Sequence, residues 1–369
     1  MSRCLLLKKT QEMISSKDIK IGITQGDPNG IGYEVIIKTL ADTRMLELYT
    51  PVIYGNKSAL NHHMTVVNDE NFKFQSIASA TEAKINATNF INCGEGDFEV
   101  DPGNGTKESG ASAFAALEKA VADLKNGEID VLVTAPINKD NIQSESFSFP
   151  GHTEYLASVD DNSTNLMFMV SDKLKIGVVT GHIPLSEISK QLNLEIIVEK
   201  IRVMAASLRL DFSIRKPKIA VLGLNPHAGD NGLIGKEDEK IISPAIKDAR
   251  SRGILAYGPF AADGFFGSGN YANYDGVIAM YHDQGLIPFK TIAFGEGTNF
   301  TAGLSFVRTS PDHGTGFDIA GKNKADESSL RQAIYTGIDI FKNRTLNQDL
   351  LSNQLTVKPA QKRNFTARQ

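Results

Sequence analysis

Six short runs rich in β-branched residues recur along the chain, separated by segments with apolar residues three and four positions apart. The runs are Ile19 to Thr24 (IKIGIT), Pro51 to Gly55 (PVIYG), Ile129 to Pro136 (IDVLVTAP), Leu174 to Thr180 (LKIGVVT), Pro217 to Pro226 (PKIAVLGLNP) and Asp275 to Asp283 (DGVIAMYHD). Strand signals alternating with helix signals predict an α/β protein with a largely parallel sheet. Helices are expected over Tyr33 to Asp42, Ser112 to Gly127, Ser186 to Leu210, Lys236 to Arg250 and Asp326 to Asn343. Gly127 and Gly253 stand where C-caps would end two of them. The polar stretch from Asn61 to Asn104 reads as an irregular excursion or small strands, and the tail after Leu351 as loosely held.

The polar residues fall at informative places. Five of the runs lead into Gln25 and Asp27, Asn138 and Lys139, His182, His227, and His282 with Asp283. Ligands of open α/β sheets bind outside the carboxyl ends of strands, so the recurrence points to one cleft. Of seven histidines, His152, His182, His227, His282 and His313 lie in glycine-rich or strand-end contexts. A single such histidine is ordinarily a satisfied polar residue. Three arriving separately at one sheet edge form a candidate metal set, because imidazole is the commonest metal ligand and three protein ligands leave one position open. That set is His182, His227 and His282. Asp263 is a candidate fourth ligand or an outer acceptor, and Asp283 a residue that orients its neighbour. Either aspartate can equally cap a turn.

Other classes are set aside by composition. With 369 residues, 41% hydrophobic and 22% charged, the chain can bury one large or two medium cores. A net charge of −4 without a Lys/Arg block argues against nucleic acid or an anionic membrane as the main partner. Cys4 and Cys93 are too few for a disulfide framework. No run approaches the roughly 18 apolar residues of a membrane span, and MSRCLLLKKTQEM lacks the apolar core of a signal peptide. A cytoplasmic protein is expected. GSGNYA (Gly267 to Ala272) satisfies G-x-G-x-x-A but lacks a strand before it and a helix after it. QGDPNGIGYE (Gln25 to Glu34) does sit between strand and helix, where it serves as an anion cradle or simply a tight turn.

In order along the chain, GDPNGIGYE, APINK, GHTEYLA, TGHIPL, NPHAGDNGLIGKED, GPFAAD, YHDQGLIPFK and GTNFTAGLSFVRTSPDHGTGFDIAGK resemble the 4-hydroxythreonine-4-phosphate dehydrogenases over almost the whole sequence. The resemblance implies an isocitrate/isopropylmalate dehydrogenase-like fold with two α/β/α domains and a cleft between them. Residues 17–140 plus 291–350 would form the nucleotide side, and 141–290 the metal and dimer side. It implies a homodimer with the site at the subunit interface, NAD, and a divalent metal (zinc, magnesium or cobalt) on His182, His227 and His282. The implied reaction oxidises 4-phosphooxy-L-threonine to 2-amino-3-oxo-4-(phosphooxy)butanoate, which decarboxylates to 3-amino-2-oxopropyl phosphate on the way to pyridoxal 5'-phosphate.

Carried over residue by residue, substrate contacts fall on His152, Thr153, Lys290, Asn299 and Arg308. Lys290 and His152 are the catalytic candidates, with a metal-bound water the third choice for the proton acceptor. SPDHGTGFDIAGK (Ser310 to Lys322) resembles the loop that holds the adenosine half of the dinucleotide, which places cofactor contacts on His313, Gly314, Thr315, Asp318 and Ile319. An aspartate at 318 favours a ribose hydroxyl over a 2'-phosphate, hence NAD over NADP. The sequence departs from the family pattern at Tyr33, Gly316 and Phe317. Rival readings are a paralogue oxidising 4-phospho-D-threonate or 4-phospho-D-erythronate, a cis-dihydrodiol dehydrogenase, a metal-dependent hydrolase without nucleotide, and a non-catalytic phosphate-binding protein.

Overall fold

The computed structural model describes residues 18–94, 96–160 and 164–353. Cys4, the amino-terminal segment and the tail beyond 353 lie outside the described residues. Among the described residues, twelve strands form one sheet. They are β1 (Lys20–Thr24), β2 (Thr50–Gly55), β3 (Phe74–Ser76), β4 (Thr88–Asn92), β5 (Val131–Thr134), β6 (Leu166–Val170), β7 (Lys175–Thr180), β8 (Lys218–Leu222), β9 (Leu255–Phe260), β10 (Gly276–Tyr281), β11 (Thr298–Ala302) and β12 (Val307–Pro311). The spatial order is β3-β4-β2-β1-β5-β12-β11-β6-β7-β10-β8-β9. Pairing is parallel except along the seam, where β11 runs antiparallel to β12 and β6, and β6 antiparallel to β7. The two parallel blocks therefore run in opposite directions and meet at the seam.

All six expected strands are present, five within their runs and β2 starting one residue early at Thr50, because strands covered on both faces read as nearly continuous apolar sequence. The β1 burial pattern bears this out, with Ile21 and Ile23 wholly buried. Among the described residues, ten helices cover the sheet: α1 (Gly32–Ala41), α2 (Lys57–Val67), α3 (Lys107–Lys125), α4 (His152–Val159), α5 (Leu185–Gln191), α6 (Leu194–Leu210), α7 (Ser243–Ser251), α8 (Ala262–Gly267), α9 (His282–Ile292) and α10 (Ser328–Ser352). Ile36 and Leu40 of α1, Ile201 and Met204 of α6, and Ile334 of α10 share one core with Ile21 and Ile23. Leu117 and Val121 of α3 join Val52 and Leu132 in a second. Leu286 and Phe289 of α9 join Ile176 and Val277 in a third. Each such side chain contributes about 1.5–3 kcal/mol by leaving water.

Several elements differ from the sequence reading. The single helix expected over 186–210 is two, α5 and α6, because Asn193 caps α6 by accepting from the Ile196 N–H at 2.8 Å. The expected helix over 236–250 begins as a π turn, Asp238–Ile242, before α7. Residues 61–104 hold most of α2 and the two small strands β3 and β4. Gly127 and Gly253 end α3 and α7 with φ of 71° and 81°, the left-handed conformation expected of residues just past a C-cap. GSGNYA lies between α8 and a 3-10 turn, Asn270–Asn273, so it has neither the strand nor the helix of a dinucleotide fingerprint. Among the described residues, no helix is long and apolar enough to cross a membrane.

Candidate active site

Near the seam, residues from both strand blocks line a cavity of about 440 Å³. Beyond β5, the Asn138 side-chain oxygen accepts from the N–H groups of Asp140 (2.9 Å) and Asn141 (3.2 Å), closing a turn that projects Lys139. Asn141 in turn donates to buried Asp27 at 2.7 Å, tying this turn to the one after β1. Burial raises the Asp27 carboxyl above its ordinary range, against the lowering effect of Asn141, Asn29 and Ser109. Helix α4 opens with His152, Thr153 and Glu154 in its first turn, β7 delivers His182, and α9 begins at His282. Lys290 lies two turns along α9, while Asn299 and Arg308 stand on the seam strands β11 and β12.

Of the expected site residues, His152, Thr153, His182, His282, Lys290, Asn299, Arg308, His313 and Gly314 all line this cavity. The others do not. His227 is exposed on a turn, Pro226–Gly232, in which His227 through Gly232 all have positive φ. Asp238 holds the start of that turn by accepting from the N–H groups of Leu224 (2.8 Å) and Asn225 (3.1 Å). Asp263 lines an adjoining recess, which shares Asp283 and Ile287 with the cavity. The Thr315 carbonyl accepts from the Ile31 N–H at 2.9 Å, Asp318 is exposed, and Ile319 packs against the core.

The departures from the family pattern have packing reasons. Gly316 has φ 56°, and a Cβ there would stand 2.9 Å from Ile31 Cδ1. Tyr33 is buried and donates to the Asn56 carbonyl at 2.8 Å. Phe317 lies so close to Gly105 that a Cβ on the glycine would sit 3.3 Å from its ring.

Arg308 sets the electrostatics. It is only 2% exposed, and its guanidinium donates to Thr134 Oγ1 (2.6 and 3.1 Å) and to Thr301 Oγ1 (3.3 Å). No carboxylate among the described residues forms an ion pair with it. Burial pulls its pKa down to about 9, which leaves it a cation at neutral pH. Burial, then Arg308 and Lys139, hold the His152 imidazole well below its ordinary range, so it is uncharged there. Four polar atoms of the lining, His152 Nε2, Glu154 Oε2, Asn299 Oδ1 and His313 Nε2, are buried with no hydrogen-bond partner in the chain. Folded proteins leave few such atoms, and these share one cavity with a buried cation that no carboxylate contacts directly.

A second group surrounds His182 and His282, whose ring centroids are 5.5 Å apart. Lys139 Nζ is 3.0 Å from His182 Nε2, and Glu154 Oε1 is 3.6 Å from His182 Nδ1. His182 beside it holds the Glu154 carboxyl below its usual range, against the effect of burial. His282 Nδ1 is 2.7 Å from Asp283 Oδ1. Among the described residues, no three His, Cys, Asp or Glu side chains of one chain are arranged to hold a metal. Two imidazoles with carboxylates behind them nevertheless have the chemistry of a partial metal site. Lys139 was placed at the cleft by its position past a strand end, but given no role; sequence reasoning missed Glu154, whose signal was its position two residues after His152.

Fold and site together define an α/β protein with a cleft that carries a buried arginine and paired imidazoles. The model of the family described as pyridoxal phosphate biosynthetic protein PdxA matches residues 47–337. A 4-hydroxythreonine-4-phosphate dehydrogenase from Bacteroides thetaiotaomicron is 49% identical over 346 residues, which is 94% of this chain and 95% of that protein. One from Sulfurihydrogenibium sp. is 42% identical over 322 residues, 87% of this chain and 98% of its own. The crystal structure of a 4-hydroxythreonine-4-phosphate dehydrogenase from Klebsiella pneumoniae matches with a TM-score of 0.76 at 35% identity, covering 88% of this chain and 100% of that one. A terephthalate 1,2-cis-dihydrodiol dehydrogenase from Burkholderia xenovorans matches at TM-score 0.58 and 24% identity over 87% of this chain and 98% of its own, a likeness of fold alone. The chain belongs to the pyridoxal phosphate biosynthetic protein PdxA family.

Proposed function

We propose that the protein is an NAD-dependent, divalent-metal-dependent dehydrogenase that oxidises the C3 hydroxyl of 4-phosphooxy-L-threonine, with loss of CO2 from the resulting β-keto acid. Family membership and the names of its relatives support the reaction class. The observation that carries the substrate class is the convergence of buried, unpaired Arg308 with four unpartnered polar atoms in one cavity.

Arg308 is suited to the phosphate, because a guanidinium fork forms paired, charge-assisted bonds to phosphate oxygens. Lys290, which donates to the Asp312 carbonyl at 3.1 Å, adds a second cation at the mouth. His152, uncharged at neutral pH, accepts a hydrogen bond from the C3 hydroxyl as its proton departs. NAD, which His313, Gly314, Thr315, Asp318 and Ile319 would hold, would supply the hydride acceptor that balances the oxidation. His182 and His282 would hold a divalent cation, which would supply Lewis acidity for the oxidation. His227 lies outside the cavity of its own chain, so the third imidazole is assigned to a second copy in a two-fold dimer.

Turnover monitored at 340 nm with a panel of 4-phosphorylated hydroxy acids tests the substrate assignment. 4-Phosphooxy-L-threonine should be preferred, whereas faster use of 4-phospho-D-threonate or 4-phospho-D-erythronate would move the protein to a paralogous activity.

NAD is assigned over NADP because Asp318 offers a carboxylate to a ribose 2'-hydroxyl and like charge to a 2'-phosphate. A hydrogen bond to a charged group contributes about 1.5–3 kcal/mol. Asp318→Lys should therefore raise KM for NAD roughly tenfold or more and narrow the gap to NADP. Near-equal efficiency with both cofactors in the unmodified enzyme would refute the assignment.

A further inference from the structure

The proton on the His182 ring can be located from its neighbours. Lys139 Nζ stands 3.0 Å from Nε2, and a lysine ammonium only donates, so Nε2 carries the lone pair. The ring proton is then on Nδ1. The group facing Nδ1 is Glu154 Oε1, at 3.6 Å, an ion-pair rather than a hydrogen-bond distance. The other oxygen of this carboxylate, Oε2, is buried with no hydrogen-bond partner in the chain. His282 shows the same pattern, with Nδ1 2.7 Å from Asp283 Oδ1. Glu154 also shares the first turn of α4 with His152, so its backbone is fixed relative to the cavity.

We propose that Glu154 is a positioning residue that holds His182 as the Nδ1–H tautomer with Nε2 turned to the cavity, and thereby sets the affinity of the site for a divalent cation. The proposal deepens, and rests on, the assignment of His182 as a metal ligand. A carboxylate behind a ligand imidazole fixes its tautomer and raises its basicity, and removing one typically costs 10–100-fold in metal affinity.

The test uses the full-length protein stripped of metal and labelled with 15N-histidine. In long-range 1H–15N spectra, the unmodified protein should show His182 protonated on Nδ1, and Glu154→Ala, in which Lys139 alone orders the ring, should show Nε2–H beside Nδ1–H. Affinity for Co2+ alone, measured by competition with a chromogenic chelator, should fall roughly 10–100-fold in Glu154→Ala. Glu154→Gln, whose amide oxygen still accepts from Nδ1–H, should restore the tautomer and part of the affinity. An unchanged tautomer, or Co2+ affinity within about twofold of the unmodified protein, in Glu154→Ala overturns the proposal. His182→Ala separates the two levels. If it keeps full Co2+ affinity, the ligand assignment itself falls. If it loses affinity while Glu154→Ala does not, only the role of Glu154 falls.

Discussion

Replacing His182, His227 or His282 with alanine is expected to remove most bound divalent metal and to lower turnover by about 10³-fold, because Lewis-acid stabilisation amounts to several kcal/mol. The fold should survive, since all three side chains are partly or largely exposed. The variants should also distinguish a shared site from one built within a single chain. His182 and His282 line one cavity, and His227 of the same chain does not. In a two-fold dimer, a hybrid of His182→Ala and His227→Ala subunits has one doubly damaged site and one intact site. Random mixing makes half the dimers hybrids, so an equimolar mixture should recover up to about a quarter of normal turnover. Elemental analysis checks the metal content, and the mixing experiment checks the sharing. Full metal occupancy in all three variants contradicts the ligand set, and mixtures no more active than the separate variants contradict the shared site.

Arg308→Met should give opposite signs in stability and catalysis. The guanidinium is buried against two threonine hydroxyls with no carboxylate partner, so desolvation works against the fold and only part of it is offset. Exchanging a buried charge for an apolar side chain of similar length is often neutral or stabilising by about 1–4 kcal/mol. Losing a buried, charge-assisted contact to a ligand costs about 2–5 kcal/mol. The variant should therefore unfold at the same or higher urea concentration, while kcat/KM for the phosphorylated substrate falls by roughly 10²–10³. A drop in both would mark Arg308 as structural, and unchanged kcat/KM would remove it from the substrate site.

Much of this site was legible because its residues sit where strand geometry puts them. His182 and His282 follow apolar runs that read plainly as strands, since β7 and β10 are buried on both faces. The seam strands were not legible for the opposite reason. Strands β11 (TNFTA) and β12 (VRTSP) bury polar side chains, two of which, Asn299 and Arg308, face the cavity. Function thus erased the apolar signature that would have marked them as strands. Strand β6 (LMFMV) lacked it through its Leu, Met and Phe content. Lys139 was legible as a strand-end residue but not in its role, because a loop lysine is ordinarily solvated, and Glu154 was hidden because an acid in the first turn of a helix already has a reason to be there in the helix dipole. The position of His227 depends on a run of left-handed residues, and in that run only Gly229 and Gly232 signal the conformation in sequence.

The most direct test of the central claim follows NADH at 340 nm and CO2 release together, with purified protein, NAD and 4-phosphooxy-L-threonine. The account predicts equal amounts of both products, loss of both on treatment with a chelator and recovery on adding back a divalent metal. Turnover that continues undiminished in chelator, or NADH that never forms with this substrate, would contradict it.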